Sequence, residues 1–280
     1  LRMARNYTGS DQAIVLDLAY HGTTQELIDL SPYKYKRKAG KGRAAHVYEA
    51  AVPDSYYAPE HWPVEQHGKR FAESVAEQLD AMRKAGKGPG FFLAESIPSV
   101  AGQVFLPDNY LKEVYAMVRA EGGLCLADEV QVGFGRVGSH WWAFETQGVV
   151  PDAVTMGKPI GNGHPMSAVV TTREVADAFN NGMEYFNTFA GNPVSCAVGL
   201  AVLNAIERDQ LKENALNVGN YLLEGFRKLQ QQFDVIGDVR GLGLFLGIVL
   251  VTDRKSKAPA TALARKVADG ARERGVLIGT

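Results

Sequence analysis

Cysteine is nearly absent: Cys125 and Cys196 are the only two in 280 residues, and nothing near either has metal-site spacing. A disulfide framework is excluded, and the pair reads as thiols of a reducing, cytoplasmic setting. An excess of charge of either sign is missing too. Thirty Lys and Arg stand against 31 Asp and Glu, a formal net charge of −1 that leaves no electrostatic footprint for nucleic acid or a membrane surface. Long apolar runs are also lacking. The most apolar window, residues 241–251, is too short and too rich in glycine to span a bilayer. No internal repeat or low-complexity tract occurs. What remains, 46% apolar and 22% charged, is an ordinary globular chain, long enough for one large domain or two.

What is present is an alternation. Strand-like apolar stretches lie at 11–19, 91–96, 124–128, 152–157, 167–171 and 239–251. Helical spacing fills the gaps: Phe71, Val75, Leu79 and Met82; Leu111, Val114, Tyr115 and Val118; Leu211, Val218, Leu222, Phe226 and Leu229. Further helices are predicted at 173–181, after Pro193 and at 261–274, and residues 1–6 read as the tail of another. This order predicts an α/β fold with a mostly parallel central sheet covered by helices on both faces. Residues 1–205 form its large domain, and 206–280 part of a smaller α+β domain whose last strand, from Val276, is left unpaired. Residues 31–68, rich in Pro, Tyr and Lys without periodicity, read as an irregular surface excursion. The basic run from Lys34 to Arg43 reads as a solvated loop rather than a phosphate site.

Three strands end in side chains able to do chemistry. Residues 124–128 stop at Asp128-Glu129, with a glycine-rich exit through Gly133 and Gly135. Thirty residues on, another short strand ends in Lys158 within Gly157-Lys158-Pro159-Ile160-Gly161-Asn162-Gly163. The first strand delivers Tyr20-His21-Gly22, and an aromatic there can stack on a flat ring. In open α/β sheets ligands bind at the carboxyl ends of strands. An acid and a lysine at adjacent strand ends suit pyridoxal phosphate: the amine condenses with the cofactor aldehyde, and the carboxylate keeps the ring nitrogen protonated. Each residue alone also has a plainer reading: an Asp that caps a turn, a Lys in solvent, a Tyr closing the core edge.

Four ordered motifs decide between these readings. They are Ala19-Tyr20-His21-Gly22, the run from Ala127 to Arg136, the run from Gly157 to Gly163, and Asn187-Thr188-Phe189-Ala190-Gly191-Asn192-Pro193. Through them the chain resembles the class-III aminotransferase family of pyridoxal-phosphate enzymes, of fold type I. The resemblance implies that Lys158 is the Schiff-base lysine and the later acid/base, and that Asp128 pairs with the ring nitrogen. It places Tyr20 on one face of the ring, Val130 on the other, Gln131 at the ring hydroxyl and His21 beside the ring. Thr188 would cross a homodimer interface to the partner's cofactor phosphate. In related enzymes a substrate-gating arginine pairs with the glutamate matching Glu95. That arginine is expected beyond Thr280, and the serine/glycine phosphate loop before Leu1, so the span reads as part of a longer polypeptide.

The reaction expected first is transamination of a primary amine, with transfer of the amino group to a keto acid. Three stretches are most similar to the phospho-lyase branch, which eliminates phosphate and ammonia from phosphoethanolamine-like substrates. They are Ser31-Pro32-Tyr33-Lys34-Tyr35, Glu95-Ser96 through Gln103, and Asn192 through Ala197. Ser96 stands where transaminases of the family carry proline; Ala101 and Ala190 stand where the branch usually has glycine. A third alternative is a non-catalytic module of the same fold within a multidomain protein. Arg240 is read as a buried structural residue rather than an anion ligand.

Overall fold

Five apolar or acidic residues ending at Asp128 run through the middle of a six-stranded sheet. The computed structural model describes residues 1–279. Its main sheet comprises β1 (Ala13–Leu16), β2 (Val47–Ala50), β3 (Phe91–Glu95), β4 (Leu124–Asp128), β5 (Ala153–Met156) and β6 (Ala168–Thr171), in the order β2-β1-β3-β4-β5-β6. Every neighbouring pair is parallel except β5 with β6. The helices are α1 (Arg2–Thr8), α2 (Gln25–Asp29), α3 (Pro32–Tyr35), α4 (His67–Lys84), α5 (Tyr110–Ala120), α6 (Arg173–Phe179), α7 (Pro193–Arg208), α8 (Leu211–Gln232) and α9 (Thr261–Glu273).

The two-residue period of a strand sorts the core onto two faces. Ile14, Leu16, Phe92 and Cys125 pack against Val75, Leu79 and Met82 of α4 and Leu111, Val114 and Val118 of α5. Their neighbours Ala13, Val15, Phe91, Leu93, Leu124 and Leu126 face the other way, toward Ala4 of α1 and Val175 of α6. Strands buried on both faces carry no polar alternation, which is why the sequence shows them as plain apolar runs.

The fold is the α/β architecture expected, with four local corrections. Residues 31–68 are not wholly irregular: they contain α3 and the edge strand β2, four residues too short and too polar at Tyr48-Glu49 to show a period. Residues 239–251 are not one strand. They belong to an antiparallel hairpin, β7 (Ile236–Leu242) with β8 (Phe245–Leu250), turning at Gly243 with φ +57°. A Cβ on Gly243 would lie 2.5 Å from the carbonyl oxygen of Arg136, so the turn needs glycine both for its φ and for its close approach. The first strand spans only Ala13–Leu16, so Tyr20 stands on the turn beyond it. No strand forms from Val276 to Gly279.

Candidate active site

Parallel register brings three carboxyl-terminal strand ends together: Glu95 lies opposite Asp128, and Asp128 opposite Thr155. Three acids are buried here, and each is held differently. Asp128 Oδ1 accepts the amide of Val130 at 3.0 Å, and Oδ2 lies 2.8 Å from His21 Nδ1. With the carboxylate ionised, Nδ1 carries the proton and donates it. Both side chains are out of solvent, 1% exposed for His21 and 8% for Asp128. Glu129, fully buried, accepts the amides of Ala143 at 3.0 Å and Phe144 at 2.9 Å; it anchors the loop leaving the site. Glu95 Oε1 accepts Ser99 Oγ at 2.6 Å and the Ser99 amide at 3.2 Å. Burial pushes the Glu95 carboxyl above its ordinary value, opposed by His21 and the Ser99 donors and reinforced by Asp128.

Ser99 also receives Gln131 Nε2 at 2.5 Å, which makes a chain Gln131–Ser99–Glu95 along the rim. Tyr20 and His21 are drawn into the same rim through their backbones. The Tyr20 amide points to Glu95 Oε2 at 3.5 Å, and the His21 amide donates to Ser31 Oγ at 2.9 Å.

Lys158 opens a 3₁₀ turn at the end of β5 with φ +33°. A left-handed φ is costly for a residue with a Cβ, more so just before a proline, and such strain gathers at functional positions. The turn is pressed against the β4 exit: a Cβ on Gly157 would lie 3.2 Å from Val130 Cγ1. Lys158 is exposed, and its amine makes no hydrogen bond or ion pair among the described residues. It lines a cavity with Gln131, Arg136, Pro159, Asn162, Leu244 and Phe245. The hairpin reaches this cavity because the Leu244 amide donates to the Arg136 carbonyl at 3.0 Å. A larger, mainly apolar cavity between α7 and α8 adjoins it; Arg136 is its only charged wall residue.

Thus Tyr20, His21, Glu95, Asp128, Val130, Gln131 and Lys158 gather at one edge of the sheet. Thr188 does not join them. It sits in a stretch, 181–190, whose residues are all exposed, just before α7. Arg240 spends its guanidinium on Asp54 at 2.9 Å and Asp238 at 2.8 Å, tying β7 to the chain before α4. Sequence reasoning missed the positioning roles of Glu129, Ser99 and Ser31. The first was visible as the second acid of a doublet ending a strand; the serines carry no signal, since only the fold brings them to the rim.

The donors and acceptors here fit pyridoxal phosphate. Asp128 has about four acceptor positions, and His21 and Val130 use two, so a protonated ring nitrogen can still be received. His21 Nε2 and Ser96 Oγ are buried without a partner among the described residues. Lys158 offers an uncommitted amine, and Tyr20 and Val130 offer flat and branched surfaces.

Comparison with known proteins agrees. The family model for class-III aminotransferases matches residues 1–280. The chain is 49% identical over 263 residues to the alanine–glyoxylate aminotransferase 2-like protein of Drosophila melanogaster, covering 92% of this chain and 53% of that protein. It is 40% identical over 275 residues to the ethanolamine-phosphate phospho-lyase homolog 1 of Caenorhabditis elegans, covering 94% and 59%. A solved phospholyase from Arthrobacter, in complex with phosphoethanolamine, superposes with a TM-score of 0.92 at 40% identity, over 99% of this chain and 65% of that one. The chain therefore spans somewhat over half the length of these curated relatives. It belongs to the class-III aminotransferase family, whose cofactor is pyridoxal phosphate.

Proposed function

We propose that this chain carries the cofactor site of a pyridoxal-phosphate enzyme acting on a small primary amine. The observation supporting this is the convergence of a buried carboxylate, Asp128, and an uncommitted amine, Lys158, at neighbouring strand ends, with Val130 packed between the two loops. When bound, the cofactor supplies an electron sink beside the substrate carbon. Lys158 would hold the cofactor through its amine and then serve as the base that takes the proton from that carbon and as the acid that delivers it on the cofactor side. Asp128 would keep the ring nitrogen protonated, and its hydrogen bond with His21 fixes the carboxylate for that task. Tyr20 and Val130 would hold the ring between them, and Gln131, set by Ser99, would receive its hydroxyl. Thr188 acts on the phosphate bound by a second copy of the chain. Exposed Met183, Tyr185, Phe186 and Phe189 around it support a homodimer interface there. The cofactor-binding part is read as residues 1–205 and the smaller part as 206–280, with the division falling in the last turn of α7. Free thiols at Cys125 and Cys196 suit a reducing compartment, the cytoplasm.

Transamination is the family's reaction, in which the amino group passes to a keto acid. A second reading, elimination of phosphate and ammonia, is favoured by the likeness to a phospholyase solved with phosphoethanolamine. The early proton removal is shared, and the branch point is a few kcal/mol of differential barrier, each 1.36 kcal/mol being about tenfold. Holoenzyme given phosphoethanolamine, with and without a keto acid, separates them. Phosphate and ammonia released without a keto acid support the lyase, and keto-acid-dependent amino transfer supports the transaminase. Neither product, together with no cofactor absorbance, would sink both.

A further inference from the structure

The turn opened by Lys158 and the stretch that holds Thr188 are separate in sequence, yet both meet α7. The Lys158 loop lies along the helix: Ile160 and Met166 pack with Val202 and Ile206, and Met166 Cε sits over Gly199, 2.8 Å from where a Cβ would stand. The Thr188 stretch runs straight into the same helix, whose N-cap is Asn192. One polar contact joins the two. His164 Nε2, in the Lys158 loop, lies 2.8 Å from Oγ of Ser195 in the first turn of α7, and both residues are half-buried.

The bonds around this contact fix its proton positions. The Ser195 amide donates to Asn192 Oδ1 at 2.9 Å, the N-cap bond of the helix, which turns Nδ2 the other way. Nδ2 then donates to Ser195 Oγ at 3.0 Å and to the Phe189 carbonyl at 2.8 Å. With Oγ accepting from Asn192, the Ser195 hydroxyl proton goes to His164 Nε2, and the imidazole carries its own proton on Nδ1. An unbroken path, His164–Ser195–Asn192–Phe189, thus leads from the Lys158 loop to the residue after Thr188.

The path has strain to hold. Lys158 sits at φ +33°, a conformation that persists only where its surroundings over-determine it. Backbone bonds close the turn itself, from the Ile160 amide to the Gly157 carbonyl and from the Asn162 amide to the Pro159 carbonyl. The His164 side chain ties the far end of the loop to the helix.

We propose that His164 is a positioning residue: through Ser195 and Asn192 it fixes the turn carrying Lys158 and the stretch carrying Thr188 to one helix end, so that a change at either is felt at the other. The inference rests on the pyridoxal-phosphate reading above, in which both residues serve the cofactor, and adds a residue that touches neither cofactor nor substrate.

Hydrogen exchange on the protein without cofactor tests the link first. His164→Phe, which keeps an aromatic ring, and Ser195→Ala, which suits a helix, should each speed exchange about tenfold in both 158–164 and 187–192. His164→Gln, whose carboxamide again offers an acceptor, should restore protection. Affinity for pyridoxal phosphate, by equilibrium dialysis, reads the consequence. Either variant should weaken it about tenfold, and the double variant no further, because both delete one bond. Thr188→Ala should cost less affinity in His164→Phe than in wild type. Unchanged exchange in the single variants, faster exchange in 158–164 alone, additive losses, equal losses for Phe and Gln, or an undiminished Thr188→Ala effect overturns the proposal. If exchange responds as expected but wild type binds no pyridoxal phosphate, the cofactor reading fails while the His164 link stands.

Discussion

The carboxyl edge of the main sheet and the stretch leading into α7 are built on opposite principles. At the edge, Asp128, Glu95 and Glu129 are buried, and each oxygen-bearing group is committed to a neighbour: His21, Ser99, or the amides of Ala143 and Phe144. Around Thr188, ten consecutive residues are exposed, and Phe186 and Phe189 show 77% and 79% of their surface to solvent. The acids of the first region are held within one chain, because parallel register sets Glu95 opposite Asp128 and the loops beyond the strands supply His21, Ser99, Ala143 and Phe144. The second carries equally specific sequence yet has nothing to pack against, as expected of a surface that functions against another molecule.

If the edge is self-sufficient, the largest effects should come from breaking it. Lys158→Ala is expected to lower turnover by at least about 10³-fold while leaving the circular dichroism of the fold unchanged, since the side chain is exposed and has no partner to lose. Near-normal turnover in cofactor-saturated assays would remove Lys158 from its role. Asp128→Ala should cost about 10²–10³-fold in kcat through loss of charge stabilisation at the ring, and should also release His21. A variant with full activity would contradict the pairing.

The comparison is sharpened next by Thr188→Ala, expected to weaken cofactor affinity about tenfold, roughly 1.4 kcal/mol. Mixed dimers decide whether it acts across subunits. A Thr188→Ala chain paired with a Lys158→Ala chain has one fully wild-type site if Thr188 serves the partner. Cofactor affinity in the active site should then return to normal. Affinity that stays weak in the mixed dimer would place Thr188 in its own subunit's site.

The smallest effect concerns the rim. Burial raises the Glu95 carboxyl above its ordinary 4.5, so the folded chain holds that proton more tightly than the unfolded one. Its stabilising contribution is complete below the unfolded value and is lost as pH rises through the raised folded value. Glu95→Gln removes this dependence. Its melting temperature relative to wild type should therefore improve by about 2–4 °C between about pH 5 and pH 8. Parallel profiles for the two proteins would show that Glu95 titrates normally.

Much of the edge was legible before the fold was. Asp128 and Lys158 each end an apolar run, and that placement puts both at the sheet edge where ligands bind in open α/β folds. Tyr20 and His21 were legible as the residues that follow the first such run. The bonds that set them were not. Ser99, Ser31 and the amides of Ala143 and Phe144 become partners only when strands and loops distant in sequence converge. β2 escaped notice because Val47 and Ala50 are its only fully buried residues. The β7–β8 hairpin was hidden because Gly241, Gly243 and the apolar residues beside them read as one continuous run, and only the φ of Gly243 divides it. The basic run hides contacts of the same kind: the Lys34 amine lies 5.2 Å from the Tyr20 ring centroid and the Arg37 guanidinium 4.6 Å from that of Tyr33, pairings that only the fold creates.

The most direct test of the central claim is chemical mapping of the cofactor's attachment point. Holoenzyme reduced with borohydride and digested should carry the phosphopyridoxyl mass on the single peptide containing Lys158. A label confined to any other lysine, or an Asp128→Ala protein that binds the cofactor with unaltered affinity and spectrum, would contradict the pairing of this acid and this amine around one ring.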